Sequence, residues 1–236
     1  ITTLEVPNSV TSIGLGAFQN CSSLLELSIP FVGKAETGDN RHYGYIFGNQ
    51  YAQTMGNIPI HLTKVTVTRS TDFTYRTFSD ITNILELNIP DTTTYIDDYA
   101  FFNTRFPNFT FPSHLVHIGS LAFSSNANLR SISLPESLTQ LGNSAFYACR
   151  GLVHVDIPSS ITNIGLGVFG SCDALRKIVI PNTVTTINLN AFMNLSNVTI
   201  FTYFNSKPAG WAYSQEFVVY YNGTWFLNNG EPEPYI

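Results

Sequence analysis

The chain has 236 residues, of which 44% are apolar and only 11% are charged, so it can bury a substantial core and is not intrinsically disordered. Its net charge is −5 and its 11 lysines and arginines are scattered, which argues against a nucleic-acid partner. No apolar run reaches the roughly 18 residues that would span a bilayer, so no transmembrane segment is expected in this chain.

In chain order, the sequence repeats one pattern: Leu-x-x-Ile-x-Ile-Pro, then Ile-Gly, then Ala-Phe, and often a cysteine. The first repeat opens the chain and ends at Cys21. The second begins at Leu24 and then departs from the pattern, because its phenylalanine arrives late, as Phe47, and the third repeat begins only at Leu62. Residues 31–61 are therefore predicted to be an irregular insertion in the second and third coils.

Repeats four to eight follow with little variation, except that the fifth is one residue short and rich in phenylalanine. The sixth to eighth are the most regular, with their phenylalanines 23 residues apart. A ninth turn begins at Val198 and is then lost, and the tail carries two β-prone runs around Asn222-Gly223. We predict a type I′ hairpin at this dipeptide, within a C-terminal cap over residues 204–236 whose end, 228–236, is frayed.

A fixed period of about 20–29 residues headed by Leu-x-x-Ile-x-Ile is typical of a leucine-rich-repeat solenoid. We therefore predict an α/β repeat solenoid over residues 1–203. It is a right-handed coil of short parallel strands, with turns and short helical segments on the convex side, in about 8 coils of 23 residues. Alternate strand residues point inward, the proline ends the strand because it lacks an N–H, and the Ala-Phe pair fills the core.

The full repeat is Leu-x-x-Ile-x-Ile-Pro-x-Ser-Val-Thr-x-Ile-Gly-x-x-Ala-Phe-x-x-Cys-x-x-Leu, and it resembles the BspA-type leucine-rich repeat. The first coil from Leu4 to Cys21 and the seventh from Leu152 to Leu175 nearly spell it, and the resemblance covers roughly residues 1–203. That family is typically found on bacterial surfaces and is implicated in adhesion and host-protein binding. The resemblance thus implies an extracellular or cell-surface location, with signal and anchor segments outside this chain.

The sequence does not indicate the chemistry of a catalytic or metal site. Cys21, Cys149 and Cys172 each follow a repeat phenylalanine by three residues and are interpreted as small buried side chains. A Cys149–Cys172 disulfide is the alternative, because adjacent coils stack about 4.8 Å apart. No GxSxG, HExxH or P-loop motif is present, so we predict no enzymatic activity, no cofactor and no metal site.

Polar strand positions supply the candidate site. The residues between the inward strand residues point outward in two rows on the concave sheet, which we call the strand face. The strand-face residues predicted to contact a partner are Lys64, Glu86, Asn108, Ser131, His154, Asp156 and Lys177. Aromatic side chains of the insertion are predicted as anchors because tyrosine is frequent among residues that dominate binding energy. These are Tyr43, Tyr45 and Tyr51.

Together these features predict a non-enzymatic, secreted or cell-surface binding module for protein–protein interaction or adhesion. Its expected partner is a protein, such as a host surface or matrix protein, bound through the strand face and the 31–61 insertion. Two alternatives stay open. One is a structural spacer of a larger surface protein, and the other is a glycan-binding module, suggested by exposed tyrosine and tryptophan side chains.

Overall fold

The computed structural model describes residues 1–51, 57–212, 217–228 and 231–234. These residues form seventeen short strands and one 3-10 helix, Tyr43–Phe47. Within the same ranges, no helix has the length and apolar character needed to cross a membrane. In chain order the strands are β1 (Thr3–Glu5), β2 (Glu26–Ile29), β3 (Lys64–Val67), β4 (Asp72–Phe73), β5 (Glu86–Asn88), β6 (Tyr95–Ile96), β7 (His117–Ile118), β8 (Ser131–Ser133), β9 (Gln140–Leu141), β10 (His154–Asp156), β11 (Asn163–Ile164), β12 (Lys177–Ile180), β13 (Thr186–Ile187), β14 (Thr199–Thr202), β15 (Val218–Tyr220), β16 (Trp225–Asn228) and β17 (Glu231–Pro234).

The longer strands stack coil upon coil in two parallel sheets. One has the order β1-β2-β3-β5 and the other β8-β10-β12-β14-β15. The register advances by one repeat at each strand, so that Lys64 lies between Glu26 and Glu86. The predicted solenoid of short parallel strands is confirmed, with about nine turns rather than eight.

The two sheets are separated at the fifth coil, where residues 108–110 form no strand. In the fourth coil, the residue that enters the strand donates its N–H to the preceding coil, as Leu85 does to the Thr63 carbonyl at 2.8 Å. Pro107 occupies this position in the fifth coil and has no N–H to donate. The ladder is therefore interrupted at a proline, although the coils on both sides continue to stack.

A second column of two-residue strands runs beside the main sheets. It comprises the ladders β4-β6-β7-β9 and β11-β13. This column passes through the fifth coil without a break, because Ile118 pairs with both Ile96 and Leu141. At its far end Trp211 bridges to Ile187, and its indole N–H donates to a carbonyl of the eighth coil.

The Ala-Phe pairs lie in a third column of stacked turns, so the predicted short helical segments are not confirmed. The N–H of Phe146 donates to the Val168 carbonyl of the next coil at 3.0 Å, and the same link recurs along the column. Ser144 and Ala148, on either side of Phe146, both have φ of 57°. Two left-handed residues so close together interrupt helical backbone and fold the chain into a tight turn.

Stacked phenylalanine rings fill the space inside the turns. The ring centroids are 5.4 Å apart from Phe123 to Phe146, 5.8 Å from Phe146 to Phe169 and 6.3 Å from Phe169 to Phe192. All four side chains are almost completely buried. Each coil therefore buries its ring against its two neighbours, and no coil could bury it alone.

The C-terminal segment differs from the prediction. β15 pairs in parallel with β14 and extends the main sheet, so no hairpin forms around Asn222-Gly223. The Asn222 N–H instead donates to the Phe204 carbonyl at 2.8 Å, and the turn leads into a hairpin between β16 and β17. Residues 231–234, expected to be frayed, are paired in that hairpin. The division between solenoid and cap at residue 203 stays a prediction.

Candidate functional site

The amino-terminal half of the strand face carries a charged pair. Lys64 Nζ lies 3.1 Å from Glu86 Oε1, which also accepts a hydrogen bond of 3.0 Å from the Asn88 side-chain amide. The bonds from Asn88 and Lys64 lower the pKa of Glu86, and the bond to Glu86 raises the pKa of Lys64. Both groups are therefore charged at neutral pH and exposed to solvent, where a partner could contact them.

The carboxyl-terminal half of the strand face carries a second polar cluster. The parallel register places Ser131, His154 and Lys177 side by side on consecutive strands. The His154 ring is largely covered, and its Nε2 lies 2.9 Å from the exposed carboxylate of Asp156 on the same strand. The alternation of a β-strand, which puts residues two apart on one face, brings these two side chains together.

Asn108 lies in the gap between the two sheets. It is exposed, but residues 108–110 form no strand, so Asn108 does not share the hydrogen-bonded rows of its neighbours. Asn108 lines a depression of about 330 Å³ together with Phe109, Ser131 and Ser133. The predicted row is thus continuous within each half of the molecule and is interrupted at this residue.

The insertion contributes a core residue where a surface residue was predicted. Tyr43 is completely buried, and its ring lies 4.9 Å from Phe78 and 5.3 Å from Phe47. The structure therefore corrects the prediction for Tyr43, because this ring fills the aromatic column and presents no surface to a partner. Tyr45 is half-buried, whereas Tyr51 is 71% exposed.

The insertion stacks on the turn column and not on the main sheet. The Gly16 N–H donates to the Tyr45 carbonyl at 3.0 Å, and the Phe18 N–H to the Ile46 carbonyl at 2.8 Å. Because Phe18 is the turn phenylalanine of the first coil, the 3-10 helix takes the place of the second coil's turn. The tyrosines of the insertion and the strand face are therefore two separate surfaces.

Two arginines fasten the insertion to neighbouring coils. Arg41 makes a bidentate contact with Asp72, with N–O distances of 2.6 and 2.9 Å. Arg69 lies 3.1 Å from the Glu36 carboxylate and 5.6 Å from the centre of the Phe31 ring. These contacts fix an otherwise irregular segment on the outside of the solenoid.

The hairpin of β16 and β17 covers one end of the strand face, which the sequence reasoning missed. Outward residues of the last three coils are apolar and aligned, Val179 with Phe201 and Phe201 with Tyr220. Trp225 packs on them, 5.5 Å from Phe201 between ring centroids, and its indole N–H donates to the Thr202 carbonyl. The change of this row from polar to apolar was the signal that could have predicted the cover.

Exposed apolar side chains border the charged row, and these too were missed. Leu25, Leu85 and Val153 each precede the first outward strand residue, and each is between 45% and 51% exposed. They place apolar contact area beside Glu26, Glu86 and His154, a combination common at protein interfaces. The signal was the second position of the Leu-x-x-Ile motif, which is leucine or valine in these three coils.

The cysteines are free thiols in this structure, so the alternative Cys149–Cys172 disulfide is not formed. The thiols of Cys149 and Cys172 each lie 3.2 Å from a phenylalanine carbonyl of the preceding coil, whereas Cys21 is only half-buried. Burial raises the pKa of Cys149 well above its ordinary value and that of Cys172 to about 12. In the part of the chain that the structure describes, no group of three or more His, Cys, Asp and Glu side chains is placed to hold a metal ion.

A serine, a histidine and an aspartate meet on the surface, but their arrangement is a link between coils. Ser113 Oγ donates to Asp91 Oδ2 at 2.6 Å, and its N–H donates to Oδ1. Glu136 and Ser159 repeat this pair in the next coils, again through both the hydroxyl and the N–H. His114 Nδ1 lies 3.1 Å from both the Asp91 carbonyl and Ser113 Oγ, and because the Ser113 hydroxyl donates to the Asp91 carboxylate, the group fixes a turn between coils.

Parallel strands advancing by one repeat per coil, with an aromatic column behind them, define a leucine-rich-repeat solenoid. Among known protein families, the BspA type leucine rich repeat region matches residues 1–41 and 71–199, in six copies. The chain therefore belongs to the BspA-type leucine-rich-repeat family, as the sequence resemblance predicted. Proteins of this class are repeat scaffolds, generally for protein interaction, and are not typically enzymes.

A solved structure with the same fold supports this assignment, and others are similar over much of the chain. A leucine-rich repeat protein from Bacteroides ovatus is 20% identical with a TM-score of 0.61; the match covers 94% of this chain and 64% of that protein. A leucine rich cell surface protein from Faecalibacterium prausnitzii (20% identity, TM-score 0.40) is matched over 92% of this chain and 80% of its own. The T. pallidum leucine rich repeat protein (20% identity, TM-score 0.47) is matched over 75% of this chain and 68% of its own. A search of curated proteins finds no match.

Proposed function

We propose that this chain is a non-enzymatic binding module that docks a protein partner through the strand face between the first and seventh coils. The observation that carries the proposal is the alignment of polar and charged side chains, in register, beside exposed apolar ones. Lys64 and Glu86 form the centre of one half, and His154 and Asp156 the centre of the other. Charges of both signs favour a partner of complementary charge and fix its orientation.

The size of the strand face supports a protein as the partner. Strands spaced about 4.8 Å apart extend roughly 29 Å from the first to the seventh coil, which is about the width of an interface of standard size. The Trp225 hairpin limits this surface at the eighth coil, because it covers Val179 and Phe201. Tyr51 offers a second, separate contact area on the insertion, since it is strongly exposed.

A secreted or cell-surface setting, with a host surface or matrix protein as the partner, is the second part of the proposal. Its support is membership of the BspA-type family. The chain spans 64% of the length of the Bacteroides ovatus protein that it matches.

The test is binding of the purified chain to a panel of immobilised extracellular-matrix proteins. The triple variant Lys64→Ala, Glu86→Ala, His154→Ala removes polar side chains from both halves of the strand face. A matched variant, Lys207→Ala, Asp173→Ala, His114→Ala, removes the same kinds of side chain at exposed positions outside both the strands and the 31–61 insertion. We expect the strand-face variant to lose at least about tenfold in affinity, a change of about 1.4 kcal/mol, and the matched variant to bind normally.

Full binding by the strand-face variant would show that the partner contacts another surface. Failure of the unmodified chain to bind any protein on the panel would favour a spacer. Binding to a glycan array, with the protein panel negative, would favour a glycan-binding module.

A further inference from the structure

Four arginines lie along one edge of the solenoid, where the chain passes from the turn to the main strand in coils five to eight. We call this the arginine edge, and its members are Arg105, Arg130, Arg150 and Arg176. All four are exposed. The equivalent segments of coils two to four, residues 22–25, 60–63 and 82–85, contain no lysine or arginine. In a chain with only 11 basic residues and a net charge of −5, this edge is a local concentration of positive charge.

The positive charge of this edge is largely uncompensated. Within the described residues, the guanidinium groups of Arg105 and Arg130 make no ion pair or hydrogen bond. Arg150 lies 3.5 Å from Asp173, but both side chains are more than 60% exposed, so solvent screens this pair. Arg176 donates only to main-chain carbonyls, those of Asp173 and Leu175. One carboxylate thus faces four arginines.

A groove of about 420 Å³ lies along the same edge, with Arg130 in its wall. Its floor is formed by small residues, because Ala127, Gly151 and Ala174 occupy successive coils. A side chain at Gly151 would meet the Ala127 carbonyl at 2.6 Å, so the glycine is what allows the coils to approach closely there. Pro107 and Val153 add apolar side chains to the lining, and Asn128 and Arg130 add polar ones, so the groove offers both apolar and polar contacts.

The spacing of the arginines matches an extended peptide. Arg130 and Arg176 occupy equivalent positions two coils apart, roughly 10 Å at about 4.8 Å per coil. Three residues of a polyproline II segment cover about the same distance at roughly 3.1 Å each, and its period of three residues puts the side chains at i and i+3 on one face. Carboxylates at positions i and i+3 would meet the two guanidinium groups, which bind carboxylates through paired N–H donors. An apolar side chain between them would enter the groove.

We propose that the arginine edge binds an extended acidic segment of a protein partner, with glutamates or aspartates three residues apart flanking an apolar side chain. The inference rests on the proposed function, since it describes the chemistry of a protein partner. It concerns a different set of residues, however. The arginine edge lies beside the carboxyl-terminal half of the strand face and does not include the strand-face residues. The otherwise acidic molecule would steer such a segment to this edge.

The test uses a fluorescein-labelled octapeptide with two glutamates three residues apart and a leucine between them, titrated with the full chain and followed by fluorescence anisotropy. The edge variant is Arg130→Gln with Arg176→Gln. The matched variant, Lys34→Gln with Lys207→Gln, makes the same change in net charge at exposed positions elsewhere. We expect at least about tenfold weaker binding by the edge variant, unchanged binding by the matched variant, and weaker binding of all forms as salt is raised.

Three results would overturn the proposal: an equal loss in both variants, undiminished binding by the edge variant, or equal affinity for a peptide with glutamines in place of the glutamates. Binding of a sulfated oligosaccharide at the edge without binding of the peptide would also overturn it. The strand-face variant separates the two proposals, because it should still bind the peptide. Loss of peptide binding to the arginine edge would leave the result of the matrix-protein panel intact.

Discussion

The regular coils six to eight and the second coil with its insertion build the same core from different backbones. In coils six to eight, each turn contributes one phenylalanine to the aromatic column, as Phe169 does between Phe146 and Phe192. In the second coil a 3-10 helix contributes two rings, Phe47 and Tyr43, which stand between Phe18 and Phe78. The aromatic column is therefore continuous although the sequence period is lost.

The comparison shows which features of a coil are fixed by stacking and which are free to vary. A neighbouring coil requires an aromatic ring that stacks on its own phenylalanine and a main-chain carbonyl that accepts from its turn N–H. The second coil supplies both. Nothing requires a particular length of chain outside those contacts, so the insertion can extend over the surface. Three predictions test this interpretation.

The largest expected effect is the loss of a ring from either kind of coil. Phe169→Ala and Phe47→Ala should each lower the free energy of unfolding by about 3–5 kcal/mol, because both side chains are completely buried and leave a cavity. Urea denaturation followed by circular dichroism would measure this. Leu189→Ala is the control, since Leu189 is 53% exposed and should change stability by less than about 0.5 kcal/mol. If Phe47→Ala were as mild as the control, the second coil would not be part of the aromatic column.

A smaller effect is expected for the ion pair that fastens the insertion. A double-mutant cycle with Arg41→Ala and Asp72→Ala should give a coupling energy of about 1–2 kcal/mol, because the contact is bidentate and Arg41 is largely covered. The exposed pair Arg150 and Asp173 in the regular coils provides the comparison and should show almost no coupling. Equal coupling in the two cycles would mean that the insertion is not held by this contact.

The smallest expected effect has the opposite sign. The Tyr43 hydroxyl is buried and makes no hydrogen bond to the residues described in the structure, and burial raises its pKa well above the ordinary value. Tyr43→Phe should therefore stabilise the protein by about 1 kcal/mol, since it removes a buried polar group and keeps the ring. Thermal denaturation would measure the change, with Tyr99→Phe as a partly exposed control. A destabilising Tyr43→Phe would indicate that the hydroxyl has a partner in the folded protein.

The fold was predictable because the residues that stack between coils recur in the sequence at the repeat period. Each phenylalanine, each strand and each inward aliphatic residue recurs at nearly the same interval, so the register of Lys64 with Glu86 or of His154 with Lys177 follows from alignment of the sequence with itself. The second coil was harder, yet the late Phe47 was correctly identified as its turn phenylalanine.

Other features could not be read from the period, because they depend on contacts outside it. Tyr43 and Tyr51 both lie in the aromatic-rich insertion, and nothing in the sequence distinguishes them. In the structure Tyr43 is buried against Phe78, whereas Tyr51 is exposed. The Asn222-Gly223 turn suggested a hairpin on local propensity, but a parallel partner in β14 was available to the preceding strand. Tertiary pairing thus overrode local preference at the end of the array, where no following coil competes.

The proline at the start of the fifth coil's strand has a mechanical consequence. Elsewhere in the first eight coils, neighbouring coils are joined by the main sheet and the stacked turns, and in two stretches by the short second ladder as well. At Pro107 the main sheet is missing, so a load pulling along the long axis is carried there by the other two columns. Under such a load the coils should therefore separate first at the fifth coil. The two main sheets on either side would each keep their strand register.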